Sequence, residues 1–360
     1  MPHKSNTTAR HDVISQPDNN LERIHIVLSV WDPKGTYAQH AGVVMTSIFE
    51  NTRNPVTVYI SHDETLTDEN KYNFLRTAEK YGQTVILNDI RNFAERFDSD
   101  TVAFANTKCT IGSLYRLFIP EILLELDKVL YLDCDIVVNL DVKELWEIDL
   151  ENYSLAGVHM PEFFENANEC LRDKLNGCDC KTFINAGILS MNLKKIRTLG
   201  SLFLNAMAWM KKRVHLMAFS DQDILNNIFY NDIKLIDSKF NIAHSAVNNL
   251  YAVDENYMHD KIIHTAGKDK TWDFTGMPVQ KLYWRHYLNS AWGENRDPQE
   301  LMTVLYKSVD DKNKKIPPAK SFIFRLIDSI SWRISNNTIY KIAVILFKEL
   351  KHRLSNGFKY

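Results

Sequence analysis

Along the first ninety residues, short apolar runs of strand length alternate with stretches in which apolar residues recur at helical spacing. The apolar run Ile24–Val30 has the length of a strand, and after a polar turn the stretch Tyr37–Glu50 follows a helical period. The same succession continues with strands at Val56–Ile60 and Val85–Leu87 and a helix at Thr67–Tyr81. Strands that alternate with helices predict an α/β fold, in which helices cover both faces of a parallel sheet.

The pattern continues through the middle of the chain without an internal repeat. The next helix is predicted over Ser113–Leu126 with a kink at Pro120, and the strand Lys128–Leu132 stops abruptly at Asp133. The remaining predicted elements are strands Leu155–Val158, Ile184–Met191, Lys234–Ile236 and Lys261–Ile263 and helices Leu193–Lys212 and Asp221–Tyr230. Residues 22–275 are therefore predicted to form one large α/β domain.

Composition changes on either side of this domain. Residues 1–21 are polar and lack the apolar segment of a signal peptide, which predicts a disordered leader. Residues 276–310 predict an irregular extension, and the charged, diproline-containing residues 311–319 predict a linker. Residues 320–360 carry eight lysines and arginines against two carboxylates, with apolar positions at helical spacing. This basic tail predicts helices on an anionic membrane surface, and the alternative is a helical hairpin on the domain.

Overall charge and cysteine content exclude several classes of protein. The net charge of −2 argues against a nucleic-acid binder, which needs cations to neutralise phosphates. Five unevenly spaced cysteines predict free thiols in a reducing compartment rather than a disulfide framework. No apolar run approaches the roughly 18 residues that span a bilayer. We therefore expect a cytoplasmic protein, peripheral on the inner face of the cytoplasmic membrane through its tail.

Two carboxylates stand where an α/β sheet places its ligands. Of three Asp-x-Asp triplets, Asp98–Asp100 lies in a polar stretch, whereas Asp133 and Asp135 follow a buried strand directly. Such a pair repels itself unless a cation lies between the carboxylates, and hard oxygen ligands favour Mg²⁺ or Mn²⁺. The third triplet, Asp221–Asp223, begins a predicted helix. No glycine-rich phosphate loop of the dinucleotide or P-loop kind is present.

Five motifs in order resemble those of the family 8 retaining glycosyltransferases, which include bacterial lipooligosaccharide and lipopolysaccharide galactosyl- and glucosyltransferases and glycogenin. The motifs are Ser113–Leu117 (SLYRL), Tyr131–Asp135 (YLDCD), Phe183–Gly187 (FINAG), Asp221–Asn226 (DQDILN) and His264–Gly267 (HTAG) followed by Lys270–Trp272 (KTW). They cover about residues 24–275. The resemblance implies a single-domain GT-A fold, the Rossmann-like fold of nucleotide-diphospho-sugar transferases.

The resemblance also implies a role for each motif residue. Asp133, Asp135 and His264 would bind the metal, which is Mn²⁺ by preference with Mg²⁺ as the alternative. The implied donor-sugar residues are Asn185, Ala186, Gly187, Asp221 and Gln222, and the implied catalytic residues are Gln222, Asp221 and Arg116. Gly267 and Lys270 would contact the diphosphate, and Asp32 and Tyr37 would read and stack on uracil. One departure is Thr271, where the family usually has proline.

The implied reaction moves glucose or galactose from a UDP-sugar to a cell-envelope glycan or a lipid-linked acceptor, with retention. Same-face attack is favoured because a neutral amide such as that of Gln222 is a poor nucleophile. Three alternatives stay open: a haloacid-dehalogenase-like phosphatase with Asp133 as nucleophile and Asp135 as acid, a non-catalytic sugar-nucleotide binding protein, and a self-glycosylating primer.

Overall fold

The structure of the protein is a computed structural model, and in its described part seven strands form the main sheet. The structure describes residues 17–18, 20–108, 110–160, 182–213, 217, 220–243, 255–266, 270–272 and 279–294. The strands of this sheet are β1 (Ile24–Val30), β2 (Val56–His62), β3 (Thr84–Asp89), β4 (Lys128–Leu132), β6 (Leu155–Val158), β7 (Ile188–Asn192) and β8 (Ile233–Ile236). Their order is β3-β2-β1-β4-β7-β6-β8, which is the central sheet of an α/β fold.

The direction of one strand differs from the prediction of a parallel sheet. Strands β1 to β4 are parallel to one another, and β6 is parallel to β8, but β7 is antiparallel to both of its neighbours, β4 and β6. The register pairs Leu132 with Ile188, so the carboxyl end of β4 lies beside the start of β7. A strand buried on both faces has the same hydrophobic pattern in either direction, so the pattern does not predict its direction.

A second, three-stranded sheet joins the middle of the chain to its later part. It consists of β5 (Ile136–Asn139), β9 (Ile242–Ala243) and β10 (Lys261–His264), in the order β5-β10-β9. Strands β5 and β10 are antiparallel, and His264 pairs with Ile136. Since β5 begins one residue after Asp135, this pairing brings His264 to the Asp-x-Asp triplet.

Helices cover both faces of the main sheet, and alternate residues of its strands point into two separate cores. Along β1, for example, Ile26 and Leu28 face one core, whereas Val27 faces the other. The helices of the described residues are α1 (Ala38–Asn51), α2 (Asp68–Lys80), α3 (Arg91–Ala94), α4 (Ser99–Lys108), α5 (Ile111–Leu114), α6 (Ile119–Ile122), α7 (Lys143–Trp146), α8 (Leu193–Thr198), α9 (Leu202–Arg213), α10 (Asp221–Ile228), α11 (Glu255–Met258), α12 (Val279–Asn289) and α13 (Ala291–Glu294).

Two predicted helices are interrupted in the structure. The helix predicted over Ser113–Leu126 is instead a succession of short helical segments, in which a 3₁₀ segment, Tyr115–Phe118, separates α5 from α6. The helix predicted over Leu193–Lys212 ends at Thr198 and restarts at Leu202. Gly200 lies between them with φ of +89°, a backbone conformation that glycine adopts without steric cost.

The extension predicted to be irregular over residues 276–310 contains regular structure in its described part. Helices α12 and α13 pack on α1 and α2, where Trp292 lies against Gly42 and donates its indole N–H to Asn70. At the end of α1, the Glu50 carboxylate accepts hydrogen bonds from His286 and Asn289 of α12, at 2.6 Å each. The basic tail, residues 320–360, lies outside the described residues. None of the described helices is long and apolar enough to cross a membrane.

Candidate active site

An open cleft lies at the carboxyl ends of β1 and β4. Its volume is about 350 Å³, and its lining includes Trp31, Asp32 and Tyr37 after β1 and Asp133 and Asp135 after β4. This is the edge at which open α/β sheets bind their ligands. Arg116 and Asp221 also line the cleft, His264 lies beside Asp135, and the Gly187 carbonyl accepts from the Asp133 N–H, so all five motifs found in the sequence meet at this sheet edge.

Three potential metal ligands converge at one end of this cleft. Asp133, Asp135 and His264 each offer a ligand atom, and these atoms lie within 4.8 Å of one another. His264 Nε2 is 3.2 Å from the Asp135 Oδ1 atom and 4.0 Å from the Asp133 Oδ2 atom. Two carboxylates and an imidazole form a donor set suited to Mn²⁺ or a similar divalent cation. Gly187 also fits this arrangement, because a Cβ there would lie 2.2 Å from His264 Cε1.

Arg116 holds the acidic groups of the site together. Its buried guanidinium lies 2.7 Å from Asp133 Oδ1 and 3.1 Å from Asp221 Oδ2, and it stacks over the Tyr131 ring at 4.1 Å. It also donates to the Ala186 carbonyl at 2.6 Å. Burial raises the pKa of Asp221 to about 6, although Arg116 alone would lower it. Arg116 therefore compensates the buried Asp221 and the half-buried Asp133 at once, and it fixes Asp133 so that its other oxygen faces the metal cluster.

Lys270 lies against the metal cluster from the other side. Its ammonium is 2.5 Å from Asp135 Oδ2 and donates to the Thr265 carbonyl at 2.9 Å. Burial alone would raise the pKa of Asp135, but the neighbouring His264 and Lys270 hold it below its usual range. Asp135 is therefore an ionised group within reach of two positive or metal-binding partners.

The segment just before β7 supplies three of the five residues that the sequence assigned to the donor sugar, Asn185, Ala186 and Gly187, and the other two begin α10. The Gly187 carbonyl accepts from the Asp133 N–H at 2.8 Å, and the Gly187 N–H donates to Asn185 Oδ1 at 2.9 Å. The Ala186 N–H donates to Gln222 Oε1 at 3.1 Å. The antiparallel pairing of β4 and β7 thus places the two motifs directly side by side.

The two residues predicted to read uracil both lie in the cleft, but they differ in what they offer. Asp32 is buried, and its carboxylate accepts from the backbone N–H groups of Thr36, Tyr37 and Ala38 at 2.7 to 3.0 Å and from the Asn70 amide at 3.0 Å. All four of its acceptor positions are therefore used, and it holds the turn before α1. Tyr37 is 36% exposed, and its ring contacts those of His40 and Trp272.

The remaining residues considered in the sequence analysis differ in their placement. Gly267 lies outside the described residues, and so do four of the five cysteines, at positions 109, 170, 178 and 180. The triplet Asp98–Asp100 is exposed at the start of α4, where Asp98 caps the helix through the Thr101 N–H at 2.7 Å. Cys134 is buried as a free thiol.

Two residues that the sequence analysis did not single out touch the site residues. Asn241, after a short 3₁₀ turn, contacts His264 and Asn185, and Met160 accepts from the Gln222 amide through its sulfur at 3.4 Å. Both lie outside the five motifs, and an asparagine or a methionine in a single sequence carries no signal of such a role.

Comparison with known proteins agrees with this geometry. The sequence profile described as Glycosyl transferase family 8 matches residues 31–276. The chain is 30% identical to a putative glycosyltransferase of Haemophilus influenzae over 246 residues. The aligned region covers 66% of this chain and 70% of the relative. The chain is also 25% identical over 302 residues to the lipopolysaccharide 1,2-glucosyltransferase of Escherichia coli K12, covering 80% of this chain and 84% of that one.

Solved structures show the same fold. The galactosyltransferase LgtC, in complex with donor and acceptor sugar analogs, superposes with a TM-score of 0.61 at 23% identity, covering 78% of this chain and all of that one. The mixed α/β sheet is thus the GT-A, Rossmann-like fold, as the motifs predicted. The phosphatase alternative is not favoured, because the profile match spans the cleft residues named above, from Trp31 to His264. Because the profile matches residues 31–276, which include the residues of the site, the chain belongs to glycosyl transferase family 8.

Proposed function

We propose that the protein is a metal-dependent, retaining hexosyltransferase that uses a UDP-sugar, with glucose or galactose as the donor sugar. The observation that carries the proposal is the convergence of Asp133, Asp135 and His264 at the end of an open cleft. A Mn²⁺ or Mg²⁺ ion bound by these residues would supply a Lewis acid that neutralises the charge of the leaving diphosphate.

The remaining side chains have consistent roles in binding the donor. Lys270, as a point charge beside Asp135, is suited to contact the diphosphate, and Gly267 belongs to the same motif. Tyr37 offers an exposed aromatic face for uracil. Asp32 then acts on the base indirectly, by holding the turn that carries Tyr37. The Asn185 oxygen accepts from Gly187 and Asn241, whereas its amide nitrogen makes only a long contact of 3.9 Å to the Met160 sulfur and is suited to donate to the sugar instead.

The geometry of Gln222 favours same-face attack over a covalent intermediate. Its amide oxygen accepts from the Ala186 N–H, and its nitrogen donates to Met160 Sδ. An amide held in this way by both ends is a poor nucleophile. Asp221, the neighbouring carboxylate, is paired with Arg116. We therefore expect the acceptor to attack from the face that UDP leaves, with a phosphate oxygen of UDP taking its proton. An anomer assignment of the product and a search for a glycosyl-enzyme adduct by intact mass test this step, and a stable adduct would overturn it.

The acceptor in this proposal is a cell-envelope glycan or a lipid-linked sugar. The relative in Escherichia coli is named for lipopolysaccharide, and the basic, amphipathic pattern of residues 320–360 suits an anionic membrane surface. The full-length chain is expected to sediment with vesicles that contain anionic lipid and to stay in solution with neutral vesicles. Equal sedimentation with both would contradict an electrostatic role of the tail.

Calorimetric titration of UDP, with Mn²⁺ and again with EDTA, tests the function as a whole. We expect metal-dependent binding that Asp135→Asn abolishes, because this change removes a charged ligand. The matched control is Asp98→Asn, which makes the same change in an exposed Asp-x-Asp triplet and conserves a residue type that caps helices well. If the wild-type chain binds no UDP under either condition, the proposed function is wrong.

A further inference from the structure

Asn241 lies between the metal cluster and the residues assigned to the donor sugar. It is 3% exposed, and its Oδ1 atom is 3.1 Å from His264 Nδ1, whereas its Nδ2 atom donates to Asn185 Oδ1 at 2.9 Å. It follows the 3₁₀ turn Ser238–Phe240 and precedes β9, which pairs with the strand that carries His264. Both ends of its amide are therefore used by residues of the site.

A backbone group sets the polarity of this chain of hydrogen bonds. The Gly187 N–H can only donate, so the atom of Asn185 that it meets must be the carbonyl oxygen. That oxygen also meets Asn241, which must present its NH₂ group there, and so the oxygen of Asn241 faces His264. The Nδ1 atom of His264 must then carry a hydrogen. This leaves Nε2, the atom that faces Asp133 and Asp135, as the one that can bind a metal ion.

We infer that Asn241 is a positioning residue that fixes the tautomer and the ring orientation of His264 and links the metal cluster to Asn185. This inference rests on the metal site of the proposed function. Metal-binding histidines commonly donate their second ring N–H to a partner of this kind, and loss of such a partner costs about 10- to 100-fold in metal affinity. The Asn241 side chain contacts both parts of the site: its oxygen meets His264 of the metal cluster, and its nitrogen meets Asn185, which is assigned to the donor sugar.

Two substitutions at this position separate its two contacts. Asn241→Leu has a similar shape and no polar atom, so it removes both contacts. Asn241→Asp retains an acceptor for His264 Nδ1 but loses the donor to Asn185 Oδ1, which would then meet a carboxylate. We expect Asn241→Leu to weaken Mn²⁺ binding by about 10- to 100-fold. We expect Asn241→Asp to bind Mn²⁺ within a few-fold of the wild type or more tightly, and to lose affinity for a UDP-sugar relative to UDP.

The measurement is Mn²⁺ affinity of the full chain without nucleotide, from the electron paramagnetic resonance signal of free Mn²⁺. Asn54→Leu is the control for the loss of a buried asparagine, since Asn54 is 2% exposed and donates to the Glu22 carbonyl. A second background, His264→Ala, tests the route: Asn241→Leu should have no further effect there, because the histidine that it positions is absent.

Each outcome has one meaning. A folded Asn241→Leu chain with wild-type Mn²⁺ affinity overturns the inference, and so does an equal loss of affinity in the His264→Ala background, which would indicate a general structural effect. In both cases the wild-type chain still binds Mn²⁺ and UDP, so the proposed function stands. A wild-type chain that binds no Mn²⁺ overturns the metal-dependent function and with it this role of Asn241.

Discussion

Gly187→Ala is the smallest change that should disable the metal cluster without removing a ligand. A Cβ at residue 187 would lie 2.2 Å from His264 Cε1 and 2.9 Å from Asp133 Oδ2, whereas ordinary contact begins at 3.4 Å. To restore contact from 2.2 to 3.4 Å, the imidazole must move by about 1.2 Å. The backbone cannot yield instead, because the Gly187 carbonyl and N–H are held by Asp133 and Asn185.

This displacement is large on the scale of metal coordination. Ligand distances in metal sites tolerate deviations of about 0.2 Å, so a shift of this size removes His264 as a ligand. The expected loss is at least about 100-fold in Mn²⁺ affinity, or about 2.7 kcal/mol. The assay is again titration of free Mn²⁺ by electron paramagnetic resonance, without nucleotide, with circular dichroism to show that the chain is folded.

Gly42→Ala provides the matched control for this prediction. Its Cβ would lie 2.3 Å from Trp292 Cζ3, and its three nearest atoms all belong to that side chain. The crowding is as severe as at residue 187, but it acts on the contact between α1 and α13 rather than on a metal ligand. We expect Gly42→Ala to lower the melting temperature and to bind Mn²⁺ as the wild type does. If Gly187→Ala is folded and binds Mn²⁺ with wild-type affinity, the arrangement of Gly187 and His264 described above is wrong.

Three further substitutions test other parts of the structure. Lys270→Ala removes an ammonium that competes with a metal ion for Asp135. We expect calorimetry to show that Mn²⁺ alone binds a few-fold more tightly, on the order of 1 kcal/mol, and that UDP binds more weakly. Weaker Mn²⁺ binding would contradict this reasoning. Arg116→Ala leaves the buried Asp221 and the half-buried Asp133 without their shared cation and should cost about 3–5 kcal/mol in urea unfolding, with Arg116→Lys intermediate. An unchanged free energy of unfolding would be the contrary result. Glu50→Gln removes a carboxylate whose pKa changes on folding. Burial would raise this pKa, but hydrogen bonds and charge, chiefly from His286, lower it from 4.5 to about 2. The substitution should therefore lower the free energy of unfolding by about 3 kcal/mol at pH 7. Because the folded-state pKa is the lower one, this contribution is present above pH 4.5 and is lost as the pH falls toward 2, so urea unfolding at pH 3 should show a smaller difference between Glu50→Gln and the wild type than at pH 7.

The sequence predicted the elements that carry the site better than it predicted their arrangement. Strands β1, β4 and β10 lie where the apolar runs placed them, because each run is short, buried and followed by a polar residue. Helix α10 begins at Asp221 as predicted, where two aspartates occupy its first turn. The direction of β7 and the separate sheet of β5, β9 and β10 were not predicted, because both depend on pairing between distant segments. The helix predicted over Ser113–Leu126 follows apolar spacing that a series of turns satisfies equally well.

The same distinction applies to the site. Motif residues such as Asp133, Asp221 and Gln222 were identified because their types and spacing are informative, and the structure brings them together. Asp32 was assigned to the base from its place in a motif, yet four hydrogen-bond donors already use its carboxylate, and only coordinates show this. Asn241 was missed for a related reason, since its role depends on two partners that are 23 and 56 residues away in sequence.

The antiparallel direction of β7 would couple the proposed metal site to the proposed sugar site. A parallel β7 would place its start at the opposite edge of the sheet from Asp133, because parallel strands begin at one edge and end at the other. The observed direction puts Gly187 beside Asp133, with its carbonyl bound to the Asp133 N–H and its N–H bound to Asn185. The same glycine leaves room for His264. A shift of any one of these residues is therefore transmitted to the others through short hydrogen bonds. Loss of the polar atoms of Asn185, like Asn241→Leu, should therefore weaken Mn²⁺ binding even without a donor present.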